Sequence, residues 1–162
     1  MSRKTFIALL GIMLLAPIPA SAEPAEQITN GTFDAGTAPW WWSGNAPAAV
    51  VDGRLCAEVP GGTANPWDVI IGQNEVDLEA DQPYAFAFTA SASVPVSVRA
   101  NVQLADPPYT AELAQQVALT PTATKSEYQF TSKAATAKAQ VVFQIGANPD
   151  PFTFCVDDVS LK

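Results

Sequence analysis

The sequence predicts an all-β fold, a sandwich of two antiparallel sheets, and three observations predict it. Its patterned segments repeat every second residue, the spacing of a strand with one buried face. They are short, and clusters of Pro, Gly, Asn and Asp divide them. Segments with the period of an amphipathic helix are almost missing. Only "TAELAQQVAL", from Thr110 to Leu119, reads as a helical turn, and it reads equally well as loop and strand.

Taken in order, the chain opens with Arg3 and Lys4, an apolar run "FIALLGIMLLAP" and a small-residue "ASA" ending at Ala22. That is the pattern of a secretory signal peptide over residues 1–22, too short to span a membrane as a helix. Residues 23–162 remain as one domain, enough chain for a single sizeable core. Next comes "TAPWWWSGNAP", three adjacent tryptophans between Pro39 and Pro47. If this segment is a regular strand, its indoles alternate between faces.

"DVIIGQ" is the following strand. "YAFAF" then places Tyr84, Phe86 and Phe88 on one face, and "VPVSVRANVQL" does the same for Val94, Val96, Val98, Ala100, Val102 and Leu104. "EYQF", "AQVVFQIG" (Val141, Phe143 and Ile145 together) and "FTFCVDDVSL" complete the series. Spacing of this kind defines a sandwich or jelly roll. In a regular strand the adjacent Asp157 and Asp158 point to opposite faces.

The formal charge of −8 becomes −10 once Arg3 and Lys4 are removed. An acidic exported domain lacks the Lys/Arg clusters that nucleic acid or anionic lipid requires, so neither is expected as a partner. Its carboxylates suit a hard cation such as Ca²⁺. In an oxidising compartment the two cysteines, Cys56 and Cys155, read as one disulfide, with a pair of buried free thiols as the alternative.

The opposite faces of the two best strands carry the functional signal. Ser97, Arg99, Asn101 and Gln103 lie on one, and Gln140, Val142 and Gln144 on the other. Solvated faces usually carry Lys, Glu and Thr. Amides donate and accept at once and Arg supplies several fixed donors, which is what sugar hydroxyls and ring oxygens need. Trp67 follows Asn65-Pro66 and Tyr109 follows Pro107-Pro108, so both rings sit at proline-stiffened positions suited to stacking on a pyranose. Either ring alone reads more readily as packing under a loop. Catalysis has no support: the chain has no histidine and no serine elbow, and no carboxylate pair is recognisable.

These residues resemble a known family. "NGTFDAG…W", "GRLCAEVPGGTANPWDVIIGQ", "LEADQPYAFAFTASASVPVSVRANVQ" and "FTFCVDDVSL" look like family 4 carbohydrate-binding modules, relatives of families 9, 16 and 22. The likeness runs from about Ile28 to Leu161. It implies a secreted, non-catalytic β-jelly roll, expected to act as a monomer, that grips one β-glycan chain (amorphous cellulose, β-glucan or xylan) in a cleft on its concave sheet. By position, Trp67 and Tyr109 match the rings that flank the sugar, and Gln73, Arg99, Gln140 and Gln144 match polar cleft positions. Asn101 and Gln103 join them by parity with Arg99. Cys56 and Cys155 match the family's disulfide, and Thr32, Gly53 and Asp157 fall where its structural Ca²⁺ is held.

One position departs from the pattern. A cleft tyrosine often follows the first strand's tryptophan by three residues, and Ser43 stands there. The resemblance puts Trp40 in the core; alternation then sends Trp42 inward and Trp41 toward the cleft, with Trp42 the fallback if a bulge shifts the register. A structural or cell-surface interaction module on the same fold is the alternative function.

Overall fold

The computed structural model describes residues 25–162; the signal peptide expected over residues 1–22 lies outside them. Ten strands make up the fold: β1 (Trp41–Trp42), β2 (Ala48–Val51), β3 (Arg54–Val59), β4 (Ile70–Leu78), β5 (Pro83–Ala92), β6 (Val96–Leu104), β7 (Ala111–Leu119), β8 (Thr124–Thr131), β9 (Thr136–Gln144) and β10 (Phe152–Leu161). Five form one antiparallel sheet in the order β1-β4-β9-β6-β7, and five form a second in the order β2-β3-β10-β5-β8. Consecutive strands mostly belong to different sheets or are not neighbours, the wiring of a jelly roll.

Alternation places the core where the sequence predicts it. Phe86 and Phe88 of β5 meet Phe143 of β9 at centroid distances of 6.1 and 5.0 Å, and Phe154 of β10 lies 5.7 Å from the same ring. Phe143 therefore ties both sheets together from the middle of β9. Trp40, 4 % exposed, packs 5.4 Å from Phe33 and donates its indole N–H to the Asn30 carbonyl at 3.3 Å. Asn30 in turn bonds the Gly36 and Ala38 carbonyls, so the "NGTF" segment folds back under the first tryptophan.

The ambiguous segment from Thr110 is strand β7. Leu113, Val117 and Leu119 are buried on its inner side, and its ladder with β6 satisfies a backbone whose Ala, Leu and Gln content favours helix in isolation. Val94, expected in line with Val96, precedes β6 and is exposed.

Register shifts occur on several strands, and two of them displace residues discussed above. In β4 the register slips between Gln73 and Val76, with Glu75 left-handed, so Ile71 and Val76 both face the core although they are five positions apart, an odd offset. In β10 the slip lies between Asp157 and Ser160, with Asp158 left-handed. Regular alternation predicts that Asp157 and Asp158 diverge. The bulge instead keeps both on the outer side, where Asp158 accepts from the Thr89 hydroxyl at 3.4 Å.

Cys56 of β3 and Cys155 of β10 are direct cross-strand partners and form a disulfide, with Cα atoms 4.1 Å apart. It lies on the outer face of the second sheet, away from the amide-bearing sheet.

Candidate functional site

Register alone sets out the concave face. On the first sheet Arg99 of β6 pairs with Gln144 of β9 on one side and with Gln116 of β7 on the other, and Gln144 pairs with Ile70 of β4. A parallel row runs from Trp41 through Gly72, Val142 and Asn101 to Ala114. A third pairs Gln140 with Gln103. Five strands at ~4.8 Å spacing give this floor a width of ~19 Å across the strands.

The rows line a groove of about 720 Å³, with Trp67 at one side and Tyr109 at the other. Trp67 sits in the single 3-10 turn Pro66–Asp68 that leads into β4, where the Asp68 carboxylate accepts from the Asn65 N–H at 2.8 Å. Gly146, after β9, donates to the Pro66 carbonyl at 2.8 Å, so the turn is anchored to the floor. Tyr109 sits in the β6–β7 loop, its N–H bonded to the Asp106 carbonyl at 2.9 Å and its φ at 58°. A left-handed tyrosine costs about 1–2 kcal/mol, which the surrounding loop holds in place. The rings are 55 % and 51 % exposed, far more than apolar packing would leave them.

The floor between them is polar and largely buried. Asn101, Gln103, Gln140 and Gln144 are all buried. The Asn101 amide donates to Gln103 Oε1 at 3.1 Å, and its own Oδ1 has no partner although it is buried. An orphaned carbonyl costs about 1–3 kcal/mol unless something donates to it. Asn101 belongs to the residues that line the groove, while this oxygen itself is closed off beneath its surface. No carboxylate lines the groove, and Arg99 is its charged residue.

Trp41 completes one end. Its ring lies over Gly72, and its indole N–H donates to Asn74 Oδ1 at 2.9 Å. A Cβ on Gly72 would stand 2.8 Å from Trp41 Cζ2 and 2.8 Å from the Val141 carbonyl oxygen. Gly72→Ala is therefore expected to lift the Trp41 ring and lower stability by about 1–3 kcal/mol; tryptophan fluorescence and a thermal melt check it. Trp42 packs against the core, as alternation predicts. The Ser43 hydroxyl accepts from the Ile70 N–H at 3.1 Å, pinning the start of β4 rather than reaching a ligand.

The structure thus brings together Trp41, Trp67, Arg99, Asn101, Gln103, Tyr109, Gln140 and Gln144. It does not bring Gln73 with them. Gln73 shares the inward face of β4 with Ile71, opposite the core residue Val141, and both ends of its amide are used by the Thr29 backbone, at 2.8 and 2.7 Å. Its role is to fasten the N-terminal segment to the sheet. Ile70, Gly72 and Asn74 went unread in the sequence, and only the parity of Ile70 and Gly72 with the groove strands offered a signal.

The residues expected around Ca²⁺ lie on the other sheet's outer side. The Thr32 hydroxyl donates to Asp34 Oδ2 at 2.7 Å, and Gly53 occupies the left-handed turn before β3. Burial, then the charges of Asp158 and Asp34, raises the Asp157 carboxyl above its ordinary value, against the Asp158 N–H and Arg54. Two carboxylates and a hydroxyl are oxygen donors of the kind a hard cation takes. Among the described residues no three Asp, Glu, His or Cys side chains form a cluster, so backbone carbonyls would have to complete such a shell.

A jelly roll whose concave sheet carries an open groove of amides flanked by exposed rings is the architecture of a carbohydrate-binding module. A family model described as "Carbohydrate binding domain" matches residues 25–151. The chain is 33 % identical over 142 residues to endoglucanase C of Cellulomonas fimi, covering 84 % of this chain and 13 % of that enzyme. The N-terminal cellulose-binding domain of β-1,4-glucanase C from the same organism superposes with a TM-score of 0.72 at 32 % identity, covering 85 % of this chain and 97 % of the domain. A family 4 module superposes with a TM-score of 0.77 at 35 % identity, covering 81 % and 99 %. The chain belongs to the family 4 carbohydrate-binding modules, a non-catalytic domain type.

Proposed function

We propose that this domain is exported and binds a single soluble β-glycan chain, of amorphous cellulose, β-glucan or xylan, across the strands of the concave sheet, without hydrolysing it. The observation that carries this reading is the pair of half-exposed rings that line one groove with a floor of buried amides. Trp67 and Tyr109 stack on pyranose faces and supply the apolar contribution. The amides and Arg99 hydrogen-bond hydroxyls and set the orientation. Trp41 supplies the floor ring that the family places elsewhere. The disulfide supports an oxidising compartment.

Affinity in an open, wet groove is modest, because contacts there replace water contacts of similar strength. Titration calorimetry with cello-oligosaccharides, mixed-linkage β-glucan and xylan is expected to give micromolar rather than nanomolar constants. Failure to bind any of them, with Ca²⁺ present and the disulfide intact, overturns the reading in favour of a structural or cell-surface interaction module. Release of reducing sugar by the purified protein overturns its non-catalytic part.

We propose also that Thr32, Gly53 and Asp157, joined by Asp34, hold a structural Ca²⁺ on the outer side. Bound there, the ion supplies charge neutralisation and ties the N-terminal segment to β10. Millimolar Ca²⁺ is expected to raise the melting temperature by several degrees, and Asp157→Asn to remove the increment; calorimetry with and without chelator checks both.

A further inference from the structure

Two smaller cavities adjoin the groove, of about 220 and 200 Å³, and Arg99 lines all three. Although the chain carries 16 Asp and Glu residues, none lines any of these spaces. Nor does Arg99 form an ion pair: among the described residues the salt bridge present is Lys125–Glu127, on another strand. The polar part of the larger side pocket's wall is Ser97, Gln116, Gln144 and Asn148, with Pro66, Val98, Gly146 and Ala147 completing it, and the pocket lies alongside the Arg99 row. Its shape is braced by Gln116, whose amide donates to the Ser97 hydroxyl at 2.8 Å.

We propose that this side pocket accepts a carboxylate-bearing substituent on the bound glycan, with Arg99 as its counter-charge. The inference rests on the glycan-binding reading above and narrows its substrate class to acid-substituted chains. A guanidinium offers a planar fork that matches a carboxylate with two parallel hydrogen bonds, and neighbouring amides turn their N–H groups toward the remaining lone pairs. A neutral hydroxyl uses only one donor of that fork. The chain as a whole is acidic, and Arg99 is the one charged residue lining the groove and its two side cavities. At physiological salt the long-range repulsion is screened within ~8 Å, while the contact pair survives. A backbone lying in the groove passes directly over Arg99, and a branch leaving it toward Ser97 enters the side pocket.

Two matched pairs of polymers test this by calorimetry in 0.15 M NaCl: glucuronoxylan against its carboxyl-reduced form, and carboxymethylcellulose against hydroxyethylcellulose. The acidic member of whichever backbone binds is expected to be held on the order of tenfold tighter. In Arg99→Gln the ratio is expected to fall to about one. Ser97→Asp, which keeps an acceptor for Gln116 but places a competing carboxylate beside Arg99, is expected to do the same. Equal or tighter binding of the neutral member, or a preference that survives both substitutions, overturns the proposal while leaving glycan binding intact. Binding of none of the four polymers by the unaltered protein overturns the acidic preference, and overturns the glycan-binding reading too when cello-oligosaccharides and mixed-linkage β-glucan also fail to bind.

Discussion

Replacing Cys56 and Cys155 together by alanine is expected to cost about 4 kcal/mol of stability and to lower the melting temperature by roughly 10–15 °C. The bridge joins residues 99 apart in sequence, a loop for which chain entropy predicts about 4.7 kcal/mol. The sheet already holds the two positions opposite each other on neighbouring strands, so the bond constrains the unfolded chain more than it shapes the folded one. Differential scanning calorimetry of the double variant, and of the parent protein in reductant, checks the size of the effect. A drop below about 5 °C would place the stability in the ring cluster around Phe143 instead. Glycan affinity at 25 °C is expected to stay unchanged, because the bridge and the groove belong to different sheets.

The different reach of sequence reasoning across these features has a physical origin. A period of two is a local property, and on β5, β6 and β9 it placed both the inner residues and the groove-facing amides correctly. It fails where the strand itself is irregular. Val76 lies beyond a bulge and Asp158 within one, and a bulge needs one residue more on one strand than on its partner, a mismatch not visible in either strand alone. Gln73 was placed in the cleft by likeness to relatives, yet its parity with Ile71 already pointed inward. β7 was obscured because an edge strand takes its form from its neighbour, and Ala, Leu and Gln carry no strand preference of their own.

The tryptophan triplet shows both sides of this. The resemblance puts Trp40 in the core, and alternation from there separates Trp42 from Trp41. What holds Trp41 flat, however, is the missing side chain of Gly72 and the amide of Asn74, more than thirty residues away. Contacts at that separation appear only once β1 is seen to pair with β4.

Loss of the two flanking rings should silence the groove without disturbing the fold. Each of Trp67→Ala and Tyr109→Ala is expected to weaken glycan binding by about 2 kcal/mol, roughly thirtyfold, and the double variant to bind below detection. Because half of each ring already lies in water, the melting temperature of Trp67→Ala is expected to move little, within about 0.5 kcal/mol of stability. Tyr109 carries a further consequence. Its backbone is left-handed, a conformation that glycine adopts freely and alanine does not. Tyr109→Gly should therefore be more stable than Tyr109→Ala by about 0.5–1 kcal/mol, after allowance for glycine's greater freedom in the unfolded chain. Both lose the stacking ring and both lose binding to the same degree. If the glycine variant binds as poorly as the alanine variant but melts higher, the loop keeps a strained tyrosine for the sake of its ring. Equal melting points would mean that the loop relaxes when the ring is gone, and that the ring itself imposes the left-handed backbone.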